Sequence, residues 1–236
     1  MSFVVVGYYT TDTLYEQEAA RMIKSLRQFE IPYYIQPIPK MDSWYSATQF
    51  KPTFLRQMLD KFAPKSIAYV DVDAEFMSFP ALFDELDARP DVHIGAHLLD
   101  HAKRGRPPAQ FELLSGTLFF KNDDMSREIV DRWIAKCTNA GTLWDQVALS
   151  VVLQGIPYYA LPEEYCTIYD YMNDVVNPVI KHYQASRRAK VSLGGGSLPT
   201  YLQPPECIPV KGNCVPRPRR IVRGGVVRHP RKWRSV

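Results

Sequence analysis

Ile67-Ala68-Tyr69-Val70-Asp71-Val72-Asp73-Ala74-Glu75-Phe76 is the stretch on which the reading of this chain turns. An apolar run from Ile67 to Val70 ends abruptly in two carboxylates one residue apart. Alternate residues of a strand share a face, so Asp71 and Asp73 converge if the strand continues. They flank one hard cation if the backbone bends at the strand end. Paired carboxylates of this kind suit Mg²⁺ or Mn²⁺ that is also held by phosphate oxygens. Open α/β sheets take their ligands at the C-terminal edge of their strands, where this pair would lie. The plainer reading is an exposed turn after a buried strand, since Asp is common in turns.

Outward from this stretch, the chain alternates strand and helix patterns. On the N-terminal side, Phe50 to Phe62 is expected to be a helix entered through Lys51-Pro52, with proline suited to the first turn. Trp44-Tyr45 is placed in a polar loop. Phe3 to Tyr9 reads as a buried strand, Thr10 to Asp12 as a helix start, and Thr13 to Phe29 as a helix with apolar spacing through Ala19, Met22, Ile23 and Leu26. Ile31 to Ile35 follows as a second strand. There is no GxGxxG and no GxxxxGK[ST], so neither glycine-rich phosphate cradle applies, and a metal is the substitute the sequence offers.

On the C-terminal side, Pro80 opens a helix over Ala81 to Arg89, and Val92 to Ala96 is a further strand. Asp100 to Gln110 reads as a polar, mobile loop of the length used for lids. Leu113 to Asn122 is strand-like, and Gly116 in it would let a ligand approach the backbone. Asp124 caps a helix through Ile129, Trp133 and Cys137. Trp144-Asp145-Gln146 leads an apolar helix from Val147 to Leu153, Ile156 to Leu161 is a strand, and Val179 to Arg187 is a strand carrying His182.

The 236 residues fit one large α/β domain with an extension, and 46% hydrophobic content allows a sizeable core. The apolar runs are too short to cross a bilayer, and the start, Met1-Ser2-Phe3-Val4, has no basic leader, so no signal peptide is expected. Cys137, Cys166, Cys207 and Cys214 form no CxxC pair, so reduced thiols and a cytoplasmic location are expected. The charge is lopsided. From Arg187 onward there are 12 Lys/Arg against one acid, Glu206, whereas the first 186 residues carry 17 basic and 24 acidic side chains. The division expected from this is an acidic catalytic body, residues 1–190, and a basic, proline-rich arm, residues 191–236.

Four segments agree in order and type: a strand ending in Asp71-Val72-Asp73, Ser115-Gly116-Thr117 before a hydrophobic strand, Trp144-Asp145-Gln146 opening a helix, and a late strand with His182. Over roughly residues 3 to 188 this set resembles the nucleotide-sugar glycosyltransferases of GT-A fold. The Asp-Gln pair and late histidine look like the glycogenin-like and related retaining families, although the lysine-rich C-terminal signature of those enzymes is missing. The resemblance implies an α/β fold with a mixed, mostly parallel, Rossmann-like sheet flanked by helices. It also implies transfer of a sugar from a nucleotide-diphosphate sugar, UDP-linked in the first instance, to an acceptor hydroxyl. Asp71, Asp73 and His182 would hold Mn²⁺ or Mg²⁺. Tyr8, Tyr9 and Thr10 would line the base and ribose pocket, with Lys51, Val72 and Arg187 also on the donor. Ser115, Gly116 and Thr117 would face the sugar, and Asp145 and Gln146 would lie beside the transferred group, Asp145 as its leading carboxylate.

Each of these residues has a plainer role. His182 on an apolar strand can be a hydrogen-bonded core histidine, Asp145 a helix N-terminal acid, Ser115 to Thr117 a bulge, and Trp133 and Trp144 core residues. In the arm, Arg217, Arg219, Arg220, Arg223, Arg228, Lys232 and Trp233 suit phosphates and stacked bases. They raise the reading that the acceptor is a hydroxylated base in DNA, as in the phage-type DNA glycosyltransferases, reached by base flipping. The competing readings are an arm docked on the acidic body or on another subunit, or one lying on an anionic membrane beside a lipid-linked acceptor. Other classes stay open as well: a nucleotidyltransferase sharing the sheet and acids, a transferase acting on a glycan, and a non-enzymatic nucleic-acid-binding protein.

Overall fold

A computed structural model describes residues 1–105, 111–139, 144–185 and 226–227. In chain order the elements are β1 (Phe3–Thr10), α1 (Tyr15–Gln28), β2 (Tyr33–Ile38), α2 (Trp44–Gln49), α3 (Lys51–Lys61), β3 (Ser66–Val70), β4 (Ala74–Phe76), α4 (Leu82–Ala88), β5 (Ile94–Asp100) and β6 (Phe111–Phe120). They continue with α5 (Asp124–Asn139), α6 (Asp145–Val152), β7 (Tyr158–Ala160), β8 (Thr167–Ile168), β9 (Ile180–His182) and β10 (Val226–Val227).

Among the described residues the main sheet has seven strands in the order β10-β7-β5-β6-β3-β1-β2. The pairings β1–β2, β1–β3 and β5–β7 are parallel, while β3–β6, β5–β6 and β7–β10 are antiparallel. Five strands therefore run one way and two, β6 and β10, the other: a mixed, mostly parallel sheet. Alternation along the strands splits the interior into two cores. Val4, Val6, Ile67 and Tyr69 face a layer built by Phe54, Leu55 and Met58 of α3, Trp133 of α5 and Leu149 of α6. Phe3, Val5, Ala68 and Val70 face Ala19, Met22 and Leu26 of α1 and Phe83 and Leu86 of α4. Both faces of the sheet are covered, which is why β1 and β3 read as unbroken apolar runs.

Several local expectations are corrected. Trp44-Tyr45 opens a helix, not a loop, because the Ser43 hydroxyl accepts the Ser46 N–H at 3.0 Å and caps it. The cap of α5 is Asp123, whose Oδ1 accepts the Ser126 N–H at 2.9 Å, and Asp124 is already helical. The second strand begins at Tyr33 and runs through Pro37. It tolerates that proline as an edge strand. The fifth strand continues to Asp100, so the loop expected there starts later. Its first residues form a short 3-10 turn pinned by Arg104, which pairs with Glu163 and Asp174. Residues 106–110 of that loop lie outside the described set.

A second, three-stranded sheet, β4-β9-β8, was not foreseen. It starts one residue after Asp73 and pairs Ala74 with His182. Val179 to Arg187 is thus a strand over three residues, and its register brings the late histidine to the acidic turn. The boundary expected at residue 190 lies outside the described residues. β10 pairs antiparallel with β7, Val226 opposite Tyr159.

Candidate active site

At the C-terminal end of β3 the chain turns through Asp71-Val72-Asp73 into β4, and the two carboxylates sit in the turn. Beside them, β6 departs from its register with β5: Ala96 pairs with Leu118 but His97 with Leu114, so Ser115, Gly116 and Thr117 bulge against one step of β5. The plainer reading of that triplet holds, and the bulge is also what carries it to the acids. The Gly116 carbonyl accepts the Asp71 N–H at 2.8 Å, fixing the turn to the bulge.

The bulge and the turn enclose a cavity of about 520 Å³, within the range for small-molecule sites. Tyr8, Tyr9, Thr10, Lys51, Asp71, Val72, Asp73, Ser115, Gly116, Asp145, Gln146 and His182 all line it. Thr117 does not. It is fully buried, and its Oγ1 meets His182 Nε2 at 2.8 Å, so it acts on the site through the imidazole. Trp133 is core, as its composition suggested, and its indole N–H donates to the Asp145 carbonyl at 2.8 Å. Trp144 is a cavity residue, not a core residue. Arg187, Arg217, Arg219, Arg220, Arg223, Arg228, Lys232 and Trp233 lie outside the described residues.

The pole nearest the turn suits a divalent cation. A Cβ placed on Gly116 would lie 3.3 Å from Asp71 Oδ2 and 3.4 Å from His182 Nδ1, so both atoms face the hollow that glycine leaves open. Asp73 Oδ1 is 3.9 Å from the same His182 Nδ1. With Nε2 committed to Thr117, the imidazole presents Nδ1 to the hollow, an arrangement that orients a metal-ligating histidine. Two carboxylates and an imidazole are a donor set for Mn²⁺ or Mg²⁺. Among the described residues no group of three His, Cys, Asp or Glu stands as a ready metal-holding cluster. An ion that shares its shell with substrate phosphates needs none, so the donor set, not a closed cage, is the relevant criterion. Asp73 is further held by the Tyr183 N–H on its carbonyl, 2.9 Å, and the Ala185 N–H on Oδ2, 2.8 Å.

Electrostatics follow from burial. Lys51 was expected to reach toward the donor. It lines the cavity, and its ammonium is buried 2.9 Å from Asp145 Oδ2 and 3.2 Å from Asp71 Oδ1, with Ser115 Oγ at 3.1 Å. Burial alone would lower its pKa. The carboxylates of Asp145 and Asp71 outweigh that and hold it charged. For Asp71, burial pushes the carboxyl up, Lys51 opposes the rise, and Asp73 adds to it. For His182, burial pushes the imidazole down, but Cys166 and Asp73 beside it prevail and raise it to about 10, so a cation taken up at Nδ1 would displace a proton.

The acids and Lys51 were legible in the sequence, but several cavity groups were missed. The Tyr69 hydroxyl donates to Asp71 Oδ1 at 2.7 Å, and its position two residues before Asp71, on the same strand face, was the available signal. The Ser115 N–H donates to Gln146 Oε1 at 3.0 Å, and Gln146 Nε2 donates to Glu112 Oε1 at 2.7 Å. Glu112 Oε2 meets His101 Nε2 at 2.9 Å, and His101 Nδ1 meets the Tyr171 hydroxyl at 2.9 Å. No spacing rule flagged this chain, because it joins four separate segments.

No protein-family profile matches the chain, and no curated protein matches it in sequence. Solved structures do match. A glycosyltransferase involved in glycosylation of the major capsid of PBCV-1 aligns with a TM-score of 0.60 at 12% identity, over 81% of this chain and 98% of that one. The glycosyltransferase GlyE of Streptococcus pneumoniae aligns with a TM-score of 0.54 at 17% identity, over 76% of this chain and 54% of that one. WbbM, a bifunctional glycosyltransferase, gives 0.53 at 12%, over 77% and 45%. This chain corresponds to about half of the length of the latter two. At such identities the likeness establishes the fold: the chain has the GT-A glycosyltransferase architecture.

Proposed function

We propose that the protein is a metal-dependent glycosyltransferase that takes its sugar from a nucleoside-diphosphate donor, UDP-linked in the first instance, and delivers it to an acceptor hydroxyl. The observation that carries this reading is that Asp71 Oδ2 and His182 Nδ1 face the Gly116 hollow while Asp73 Oδ1 lies 3.9 Å from the same Nδ1, at the strand edge where open α/β sheets take their ligands. Mn²⁺ or Mg²⁺ held there would stabilise the negative charge that develops on the departing diphosphate.

The chain's own residues account for the rest. Tyr8, Tyr9 and Thr10, at the end of β1, give the donor's base and ribose a wall. Lys51 Nζ lies between the two carboxyls, 2.9 Å from Asp145 Oδ2 and 3.2 Å from Asp71 Oδ1, and Ser115 Oγ donates to Asp145 Oδ2 at 2.9 Å. Asp145 and Gln146 then sit beside the transferred sugar, where a fixed carboxylate stabilises oxocarbenium-like charge. As for the arm, the described fragment that pairs with β7 favours docking on the body over a role as a DNA clamp. A hydroxylated DNA base stays in the acceptor panel because of the arm's charge.

The test is release of nucleoside diphosphate from a panel of nucleotide sugars with Mn²⁺ and with EDTA. Release should require the metal and fall at least about a hundredfold in Asp73→Asn, the range seen when one electrostatic group of a site is removed. Absence of both release and calorimetric binding of every donor by the folded protein defeats the reading.

A further inference from the structure

The end of the cavity formed by Glu112, His101 and Tyr171 is used neither by the ion pole nor by the Lys51–Asp145 pair. Glu112 lies on β6 beyond the bulge, opposite Leu99 of β5, and its side chain keeps 40% exposure. Its two oxygens are each held once, Oε1 by the Gln146 amide and Oε2 by His101 Nε2. A carboxylate oxygen has two acceptor positions, so each keeps one. His101 is nearly buried, and its other nitrogen is engaged by the Tyr171 hydroxyl, which fixes the ring. Leu99, Leu114 and Ile168 give the same end an apolar floor.

We propose that this end recognises a neutral, polyhydroxylated acceptor, a saccharide, and that Glu112 is its specificity-determining residue. The inference rests on the glycosyltransferase reading and names that site's acceptor. A fixed anion with free acceptor positions on both oxygens takes O–H donors, and adjacent hydroxyls of a sugar ring match the two oxygens. The ring's C–H face needs the apolar floor. The same anion repels phosphate, so a nucleic-acid strand is disfavoured there. His101 and Tyr171 are positioning residues that hold Glu112 in register, and Gln146 ties it through the Ser115 amide to the donor side.

The test uses the full chain with Mn²⁺ and UDP-sugars in two assays: UDP release without acceptor, and transfer to lactose, to a series of methyl glycosides, or to duplex DNA carrying 5-hydroxymethylcytosine. Saccharide binding without donor is followed by saturation-transfer NMR. Transfer to a saccharide is expected. In Glu112→Gln the saccharide KM should rise at least about tenfold, the size expected for a lost charged hydrogen bond, and by more than acceptor-free UDP release falls. Glu112→Asp, with its charge set back by one methylene, should give an intermediate KM. Equal losses in both assays, an unchanged KM, or transfer to the DNA alone overturns the assignment. If no UDP-sugar is turned over but a saccharide still binds in a Glu112-dependent way, the donor reading has failed and the sugar-binding end stands.

Discussion

At the scale of single residues, the site is governed by what burial does to charge. Lys51 is 4% exposed and Asp145 5%, with 2.9 Å between them. Removing one partner of such a pair leaves the other buried and unpaired. Lys51→Met should therefore destabilise the fold by about 3–5 kcal/mol in urea titrations, and Asp145→Leu in the same chain should restore most of it. A cost under about 1 kcal/mol would mean that Asp145 is not desolvated as its position implies. His97 shows the opposite sign of charge control. Burial pushes its imidazole down, and Arg104 and Lys103 add to that. The Leu161 carbonyl, 2.9 Å from Nδ1, and Glu163 oppose it without prevailing. The unfolded chain binds a proton near pH 6.5 and the folded one only below that, so stability is lost as pH falls from about 6.5. The melting temperature of His97→Gln should accordingly drop less between pH 7 and 5 than that of the parent. Shifts elsewhere, at Asp71 and His182, cancel in that difference, and parallel pH profiles would refute the assignment.

At the scale of elements, the bulge in β6 and the turn after β3 make the cavity, and a glycine stands at each contact. A Cβ on Gly7 would lie 2.8 Å from the Val70 carbonyl oxygen, a backbone atom that cannot move without disturbing the end of β3. A Cβ on Gly116 would meet side-chain atoms, His182 Cε1 at 3.2 Å and Asp71 Oδ2 at 3.3 Å. The two substitutions should therefore part company. Gly7→Ala should lower stability by about 1–3 kcal/mol, the usual cost of overpacking, with Mn²⁺ affinity following the folded fraction. Gly116→Ala should melt close to the parent yet weaken Mn²⁺ and donor binding in calorimetry, because its methyl group occupies the hollow. Matching effects on both properties in both variants would show that the hollow is not the ion's place. This contrast also explains what the sequence could reveal. The apolar runs of β1 and β3 and the helical spacing of α1 and α3 are local patterns, so they were legible. The bulge depends on how β6 registers against β5, and β8 and β9 are two and three residues long, so neither has a periodicity to read.

At the scale of the whole molecule, the four motifs were readable in order, but what brings them together is register. Ala74 pairs with His182 across 108 residues, and Glu112 reaches His101 only through the β5–β6 pairing. Those facts are non-local and leave no trace in spacing. The charge asymmetry is different: it is fully present in composition, and the structure adds where it leads. The first 186 residues, with 24 acids and 17 bases, precede a stretch from Arg187 onward with 12 bases and one acid, and two residues of that stretch, Val226 and Val227, extend the sheet at β7. A two-residue strand contributes few ladder bonds, and attraction between the basic arm and the acidic body is a further force that salt would screen. Raising NaCl from 0.1 to 1 M shortens the screening length from about 10 Å to about 3 Å. Amide exchange at Tyr158–Ala160 and at Val226–Val227 should then quicken in the parent chain. In a chain with Arg217, Arg219, Arg220 and Arg223 replaced by Gln, exchange should already be fast at low salt and respond little. Unchanged protection in salt would remove charge as the cause. If the four replacements leave exchange as it was but flatten the salt dependence of duplex binding by about three to four units of slope, the arginines serve a nucleic acid instead.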